Sequence, residues 1–191
     1  SMGNYIDPLG LVEEHGADPV RFYLYTMNQP GEPKNFDVQG VSEVVKKTFL
    51  ILMNVVSFWK LHPEHKGGEK APAKHPLDTW IDSLLNQLIT DVSQRLDVYD
   101  VTGAARAIAA FITDLSIWYI RRSRDRFKGS DAPAARAMLQ HVLQTLSRLL
   151  APFTPFFAEE VYRQTGGSGL SVHLEDWPTP GAIDTQLLGD M

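Results

Sequence analysis

Hydrophobic residues recur along this chain at steps of three and four, and polar interruptions cut the recurrence into separate segments. Val41, Val44, Val45, Thr48, Leu52, Val55, Val56 and Trp59 form one face of a predicted helix. A second stripe runs through Trp80, Ile81, Leu84, Leu85, Leu88, Ile89, Val92 and Leu96. A third holds Ile108, Phe111, Ile112, Leu115, Trp118 and Tyr119, and a fourth holds Met138, Leu139, Val142, Leu143, Leu146, Leu149 and Leu150. "APFTPFFAEEVYRQT" adds a short fifth helix, with Thr154 as cap before Pro155. None of these segments alternates as a strand does, so the fold class is all-α, a helical bundle.

The flanks read differently. In "DPLGLVEEHG" Asp7 caps a short helix that starts at Pro8 and stops at Gly16. "ADPVRFYLYTM" repeats the Asp-Pro start as a second helix, and "NQPGEPKNFD" is turn chemistry. Residues 3–40 are thus expected to be a small mixed α/β segment, 41–165 the bundle, and 166–191 a tail packed on it. Within the bundle, residues 62–76 hold Pro, Gly and Lys with little apolar content, a surface loop. In the tail, "GGSG" is a flexible connection and "LSVHLEDWP" a short extended piece anchored by Trp177.

Composition narrows the chemistry. The chain has 191 residues, 43% of them hydrophobic and 21% charged, enough for a core without staples. With no cysteine, disulfides and thiolate metal sites are excluded. No run approaches the length of a membrane span, and "SMGNYIDP" lacks the features of a signal peptide. The expectation is a cytoplasmic protein with no membrane partner. His62 and His65 have helical ligand spacing, but they flank Pro63 without a third ligand, so no metal site is expected. "TGGSGL" lacks the lysine and following helix of a phosphate loop. Trp80 and Trp118 sit on apolar stripes as core residues, and His173 is expected to pack near Trp177 in a structural role.

A net charge of -5 argues against general nucleic-acid affinity, DNA included, yet "WYIRRSRDRF" (118–127) gathers four arginines. An ideal helical wheel turns Arg122 and Arg126 toward the core and Arg121, Arg124 and Lys128 outward. The inner pair would offset the helix dipole and pair with Glu159 or Glu160. The outer three are either a solvated face or a phosphate-binding one, since guanidinium groups make planar, charge-assisted bonds to phosphate.

Several stretches resemble class I aminoacyl-tRNA synthetases. "GNYIDP" (3–8) is similar to the segment after their KMSKS loop, and "GADPVRFYLYTM" to the helix that follows it in the isoleucine, valine and leucine members. "YDVTGAARAIAAFITDLSIWYIRRSRDRF" (99–127), "LLAPFTPFFAEEVY" (149–162) and "SVHLEDWP" (171–178) look most like isoleucyl-tRNA synthetases. The resemblance implies a stem-contact region over 3–40, an anticodon-binding bundle over 41–165, and tRNA contacts through Arg121, Arg124, Lys128, Arg122 and Arg126. It implies a partner, the isoleucine tRNA, and action as a monomer. It also implies a parent enzyme that uses ATP and Mg for the charging reaction. The catalytic signature motifs of that family are not in this sequence, so the chain alone is expected to bind no cofactor and to be inactive. "NQPGEPKNFD" and Lys128 depart from the family, which often has tryptophan at the latter position. The valine or leucine members remain alternatives, as does a non-enzymatic helical adaptor. A positive strip around Arg121 and Arg124 would favour tRNA binding, and an apolar patch without it the adaptor.

Overall fold

The computed structural model describes residues 8–29, 31–32, 36–62 and 75–190. The helices are α1 (Pro8–His15), α2 (Ala17–Met27), α3 (Val38–Val44), α4 (Leu50–Leu61), α5 (Pro76–Asp97), α6 (Val101–Asp114), α7 (Arg121–Ser123), α8 (Ala132–Leu150), α9 (Pro155–Gln164) and α10 (Thr185–Asp190). Among the described residues there is no strand, so the described part of 3–40 is helical rather than mixed. Asp7, His65 and most of the 62–76 loop lie outside the described residues.

Each long stripe becomes a buried helix face. Leu52 of α4, Ile81 and Leu85 of α5, Ile108 and Ile112 of α6, and Leu139 and Leu143 of α8 are all fully buried in one core. The α5–α6 hairpin turns at Tyr99, whose φ of 61° lies in the left-handed region. Asp100 then caps α6 through the Gly103 N–H at 2.9 Å. By length and composition the continuous helix Val101–Ser123 could cross a membrane; its apolar face is spent on this core.

Two helices contain a π turn, where i→i+5 bonds widen the coil: Val45–Phe49 between α3 and α4, and Leu115–Ile120 between α6 and α7. The first carries Phe49 inward while Leu50 is left exposed.

Helix α2 lies across one end of the bundle. Phe22 is buried in the main core, its ring 6.0 Å from that of Phe49. Leu11, Val20 and Val41 form a smaller cluster beside it. At its start, Asp18 accepts the Phe157 N–H at 2.6 Å and Arg21 donates to the Phe153 and Pro152 carbonyls, both at 3.3 Å. Asp18 therefore caps α9 from another helix. Thr154, expected as the cap, makes no side-chain cap bond and donates instead to the Leu150 carbonyl. At the other end of α2, Arg106 donates to the Thr26 and Met27 carbonyls at 3.0 and 2.6 Å.

The tail is a strap along α5. Trp177 Nε1 donates to Ser93 at 2.9 Å, Asn86 bonds both Gly181 and Ala182, and the Asp184 N–H donates to Ser83. It also contains a 3₁₀ turn (Val172–Leu174) and α10, which the extended reading did not anticipate. His173 bonds the Pro155 carbonyl at the start of α9.

Candidate nucleic-acid interface

The arginine-rich end is built where α4 and α6–α7 finish and α5 and α8 begin. Its first feature follows from the π turn. A single i→i+5 turn sets every later residue back by roughly 100° relative to an ideal wheel. Arg122, expected on the core side, is therefore exposed, and buried Ser123 takes the inward position. The Arg122 guanidinium lies 4.2 Å above the Trp118 ring, a stacking geometry worth about 0.5–1 kcal/mol at an exposed site. Trp118 is only half-buried, tilted 41° to the buried Trp80 at 6.2 Å. Ile117, Trp118, Arg121 and Arg122 line an open cleft of about 500 Å³.

The second feature is the turn after α7. Here the chain leaves the α-helix and makes one 3₁₀ turn, Arg126–Lys128. Phe127 is buried, with its ring 4.8 Å from Phe58 and 5.2 Å from His62. His62 thus belongs to an aromatic cluster, its Nδ1 2.8 Å from the Phe58 carbonyl. Arg126 does turn inward, but its partners are not Glu159 and Glu160. Its Nη1 and Nη2 meet the two oxygens of Asp78 at 2.8 and 2.7 Å, and Nε meets Asp131 at 2.5 Å. Tyr119 donates its hydroxyl to the same Asp78 at 2.8 Å.

These groups shift each other's titration. Burial pushes the Tyr119 hydroxyl well up, and the Asp78 charge adds to that. Burial alone would lower Arg126; its bonds to Asp78 and Asp131 outweigh this and hold it charged. Glu159 serves elsewhere. It accepts from Ser171, the Val172 N–H and Arg163, and the Ser171 hydroxyl leads in keeping its carboxyl below the usual range. Glu160 bonds Gln164.

What remains pointing outward is a row of four cations. Arg121, Arg122, Arg124 and Lys128 are exposed, and none has a carboxylate partner among the described residues. Arg121, Arg124 and Lys128 lie where the sequence pattern put them. Arg122 joins them by the π-turn shift, and Arg126 is consumed by carboxylates. Such cations, two of them at the Trp118 cleft, can hold phosphates, and the Arg122 plane over Trp118 can stack an unpaired base.

A family model described as the anticodon-binding domain of tRNA ligase matches residues 78–190. The chain belongs to this family. It is 38% identical over its whole length to an isoleucine–tRNA ligase of Deinococcus radiodurans, of which it covers 19%. An isoleucine–tRNA ligase of Streptomyces coelicolor is 39% identical, also over the whole chain and 19% of the relative. One from Dehalococcoides mccartyi is 43% identical over 98% of the chain and 20% of the relative. The chain thus spans about a fifth of the length of these relatives. Among solved structures, a crystal structure of the ternary complex of Agrobacterium radiobacter K84 agnB2 LeuRS, tRNA and LeuAMS superposes with a TM-score of 0.67. It shares 25% identity over 98% of this chain and 22% of that one.

In this anticodon-binding domain the matched region opens at Asp78, the residue that holds Arg126. Sequence reasoning missed Asp78 because 48 positions separate it from its partner. It also took Trp118 for core. The signal that would have found the stack was available: Trp118 and Arg122 are four apart, the spacing at which helical side chains meet.

Proposed function

We propose that this chain is the anticodon-recognition part of an isoleucine–tRNA ligase, whose whole form charges tRNA with isoleucine using ATP. The observation that carries the proposal is the set of exposed cations Arg121, Arg122, Arg124 and Lys128, without a carboxylate partner among the described residues, the first two lining the Trp118 cleft. The family of the domain and the names of its relatives support it. Guanidinium and ammonium groups would take backbone phosphates, which set register without reading sequence. An unstacked loop base would enter the cleft and stack on the Arg122 guanidinium plane that covers Trp118. ATP and Mg would act in the catalytic region of such a ligase, and the proposal assigns neither to this chain.

The test is binding to isoleucine tRNA and to an unrelated tRNA at two salt concentrations, repeated with Arg121→Ala/Arg124→Ala. We expect preference for isoleucine tRNA. In the double variant we expect a salt slope shallower by roughly 0.7–0.9 per lost phosphate contact. Equal binding of both tRNAs, untouched by the substitutions, would sink the proposal.

A further inference from the structure

The chain between α7 and α8 carries two of the four outward cations, Arg124 and Lys128, yet it has little structure of its own. Its backbone bonds are single-turn closures: the Lys128 N–H to Asp125 at 3.1 Å, Gly129 to Arg126 at 3.1 Å, and Ala132 to Gly129 at 3.2 Å. A turn this short does not hold itself in water, because nucleation costs more than a few bonds return. Its place must come from tertiary ties.

Two ties are visible, and they do different work. Phe127, in its aromatic pocket, fixes where the turn sits. An apolar contact is non-directional, however, and leaves the turn free to roll about the ring. Arg126 removes that freedom. Its planar fork is matched bidentately by Asp78, while Nε is taken by Asp131. Asp78 is itself held, because it lies in the first turn of α5 and accepts the Tyr119 hydroxyl from the π turn. One carboxylate therefore joins α5, the α6 π turn and the 3₁₀ turn.

The same arrangement also removes one of two competing charges near the turn, the other being the exposed Asp125. Asp131 stands three residues from Lys128, and released from Arg126 it could neutralise that lysine or Arg124. Bound to Nε it cannot. Nor is a stability argument sufficient, since a buried ion pair replaced on both sides by apolar groups is often no less stable. What such a swap does lose is direction.

On these grounds, and resting on the tRNA-binding reading above, we propose that Asp78 is a positioning residue for RNA. It orients Arg126, and through it the turn that presents Arg124 and Lys128 as unpaired phosphate ligands. Asp78 itself touches no RNA.

The test combines three variants: Asp78→Leu/Arg126→Leu, Arg124→Ala/Lys128→Ala, and all four changes together. For each we would measure thermal stability, tRNA affinity at two salt concentrations, and hydrogen exchange at the Lys128 and Gly129 amides. The apolar pair should melt below the wild type by no more than Tyr119→Phe alone does, since the Tyr119 hydroxyl loses its acceptor, and should exchange faster at those two amides. It should bind tRNA about tenfold more weakly, with the salt slope flattened as far as Arg124→Ala/Lys128→Ala flattens it. The four-fold variant should bind no worse than Arg124→Ala/Lys128→Ala, because position matters only while the cations are present. Should the apolar pair itself melt early, Asp78→Asn, read by tRNA affinity and by exchange at the same amides, replaces it. Additive losses, or an unchanged salt slope with tRNA bound normally, would overturn the positioning role alone. Wild-type protein that fails to bind tRNA would overturn the functional reading, and the RNA role of Asp78 with it.

Discussion

Asp18 makes one good bond and leaves its second oxygen stranded. Oδ2 takes the Phe157 N–H, while Oδ1 is buried without a hydrogen-bond partner among the described residues. Burial is the largest influence on this carboxyl and raises its pKa, against the lowering effects of the Phe157 bond and nearby Arg21. Because the folded value lies above the unfolded one, the fold favours the protonated acid. Its contribution is complete below the unfolded value of about 3.9 and is lost as pH rises through the folded value. Asp18→Asn keeps an acceptor for Phe157 and removes the charge. We expect its urea midpoint to equal or exceed that of the wild type at pH 7, the advantage shrinking as pH falls into the carboxyl range. A deficit of constant size at every pH would contradict this account. At Asp78, by contrast, both oxygens are bonded, to Arg126 and Tyr119. Asp78→Ala leaves the Tyr119 hydroxyl without its acceptor and Arg126 with Asp131 alone, and we expect a lower melting temperature than that of the wild type.

At the scale of elements, periodicity made α5, α8 and α9 legible, because each keeps one α-helical phase from end to end. It read α6 correctly as far as Leu115. Beyond that point the wheel was wrong for Arg122, since the widened turn Leu115–Ile120 changes the phase and no local residue pattern announces it. Two further features were hidden for a different reason. The cap of α9 comes from 139 residues away, and the partner of Arg126 from 48. Composition can show that a charge needs a partner but not which one the fold delivers. The outward positions of Arg121, Arg124 and Lys128 survived these errors because exposure tolerates a wide angular range. The phase argument can be tested by deleting Ser116, which lets the turn relax to α-helical bonding. One residue fewer and one helical step regained cancel, so every residue after the turn keeps its present face. A variant in which Ser123 stays buried and Arg122 still lies over Trp118 is the expected result; a variant with Arg122 turned into the core and a lowered melting temperature would contradict the phase argument.

Across the whole molecule, a net charge of -5 coexists with an arginine-rich end where Asp78 and Asp131 are tied to Arg126, while Asp125 stays exposed among the cations. Attraction to RNA then depends on local arrangement, which is why salt slopes are more telling than bulk charge. The tail strap is a second long-range device. Trp177→Ala removes its bond to Ser93 and most of its apolar contact, and we expect faster exchange at the Gly181 and Asp184 amides. A stability loss of about 0.5–1.5 kcal/mol, the usual worth of one such bond, should accompany it. Unaltered exchange at both amides would show that the Asn86 and Ser83 bonds hold the strap unaided.

Helix α8 joins the two ends that matter. It starts one residue after Asp131, at the cationic turn, and finishes two residues before Pro152, where Arg21 of α2 takes hold. Its 19 residues are a ruler of about 28 Å. Whatever is attached through α2 is therefore set at a fixed span from whatever the arginines grip, and the span can change only in steps of whole residues, each of which would also turn one end against the other.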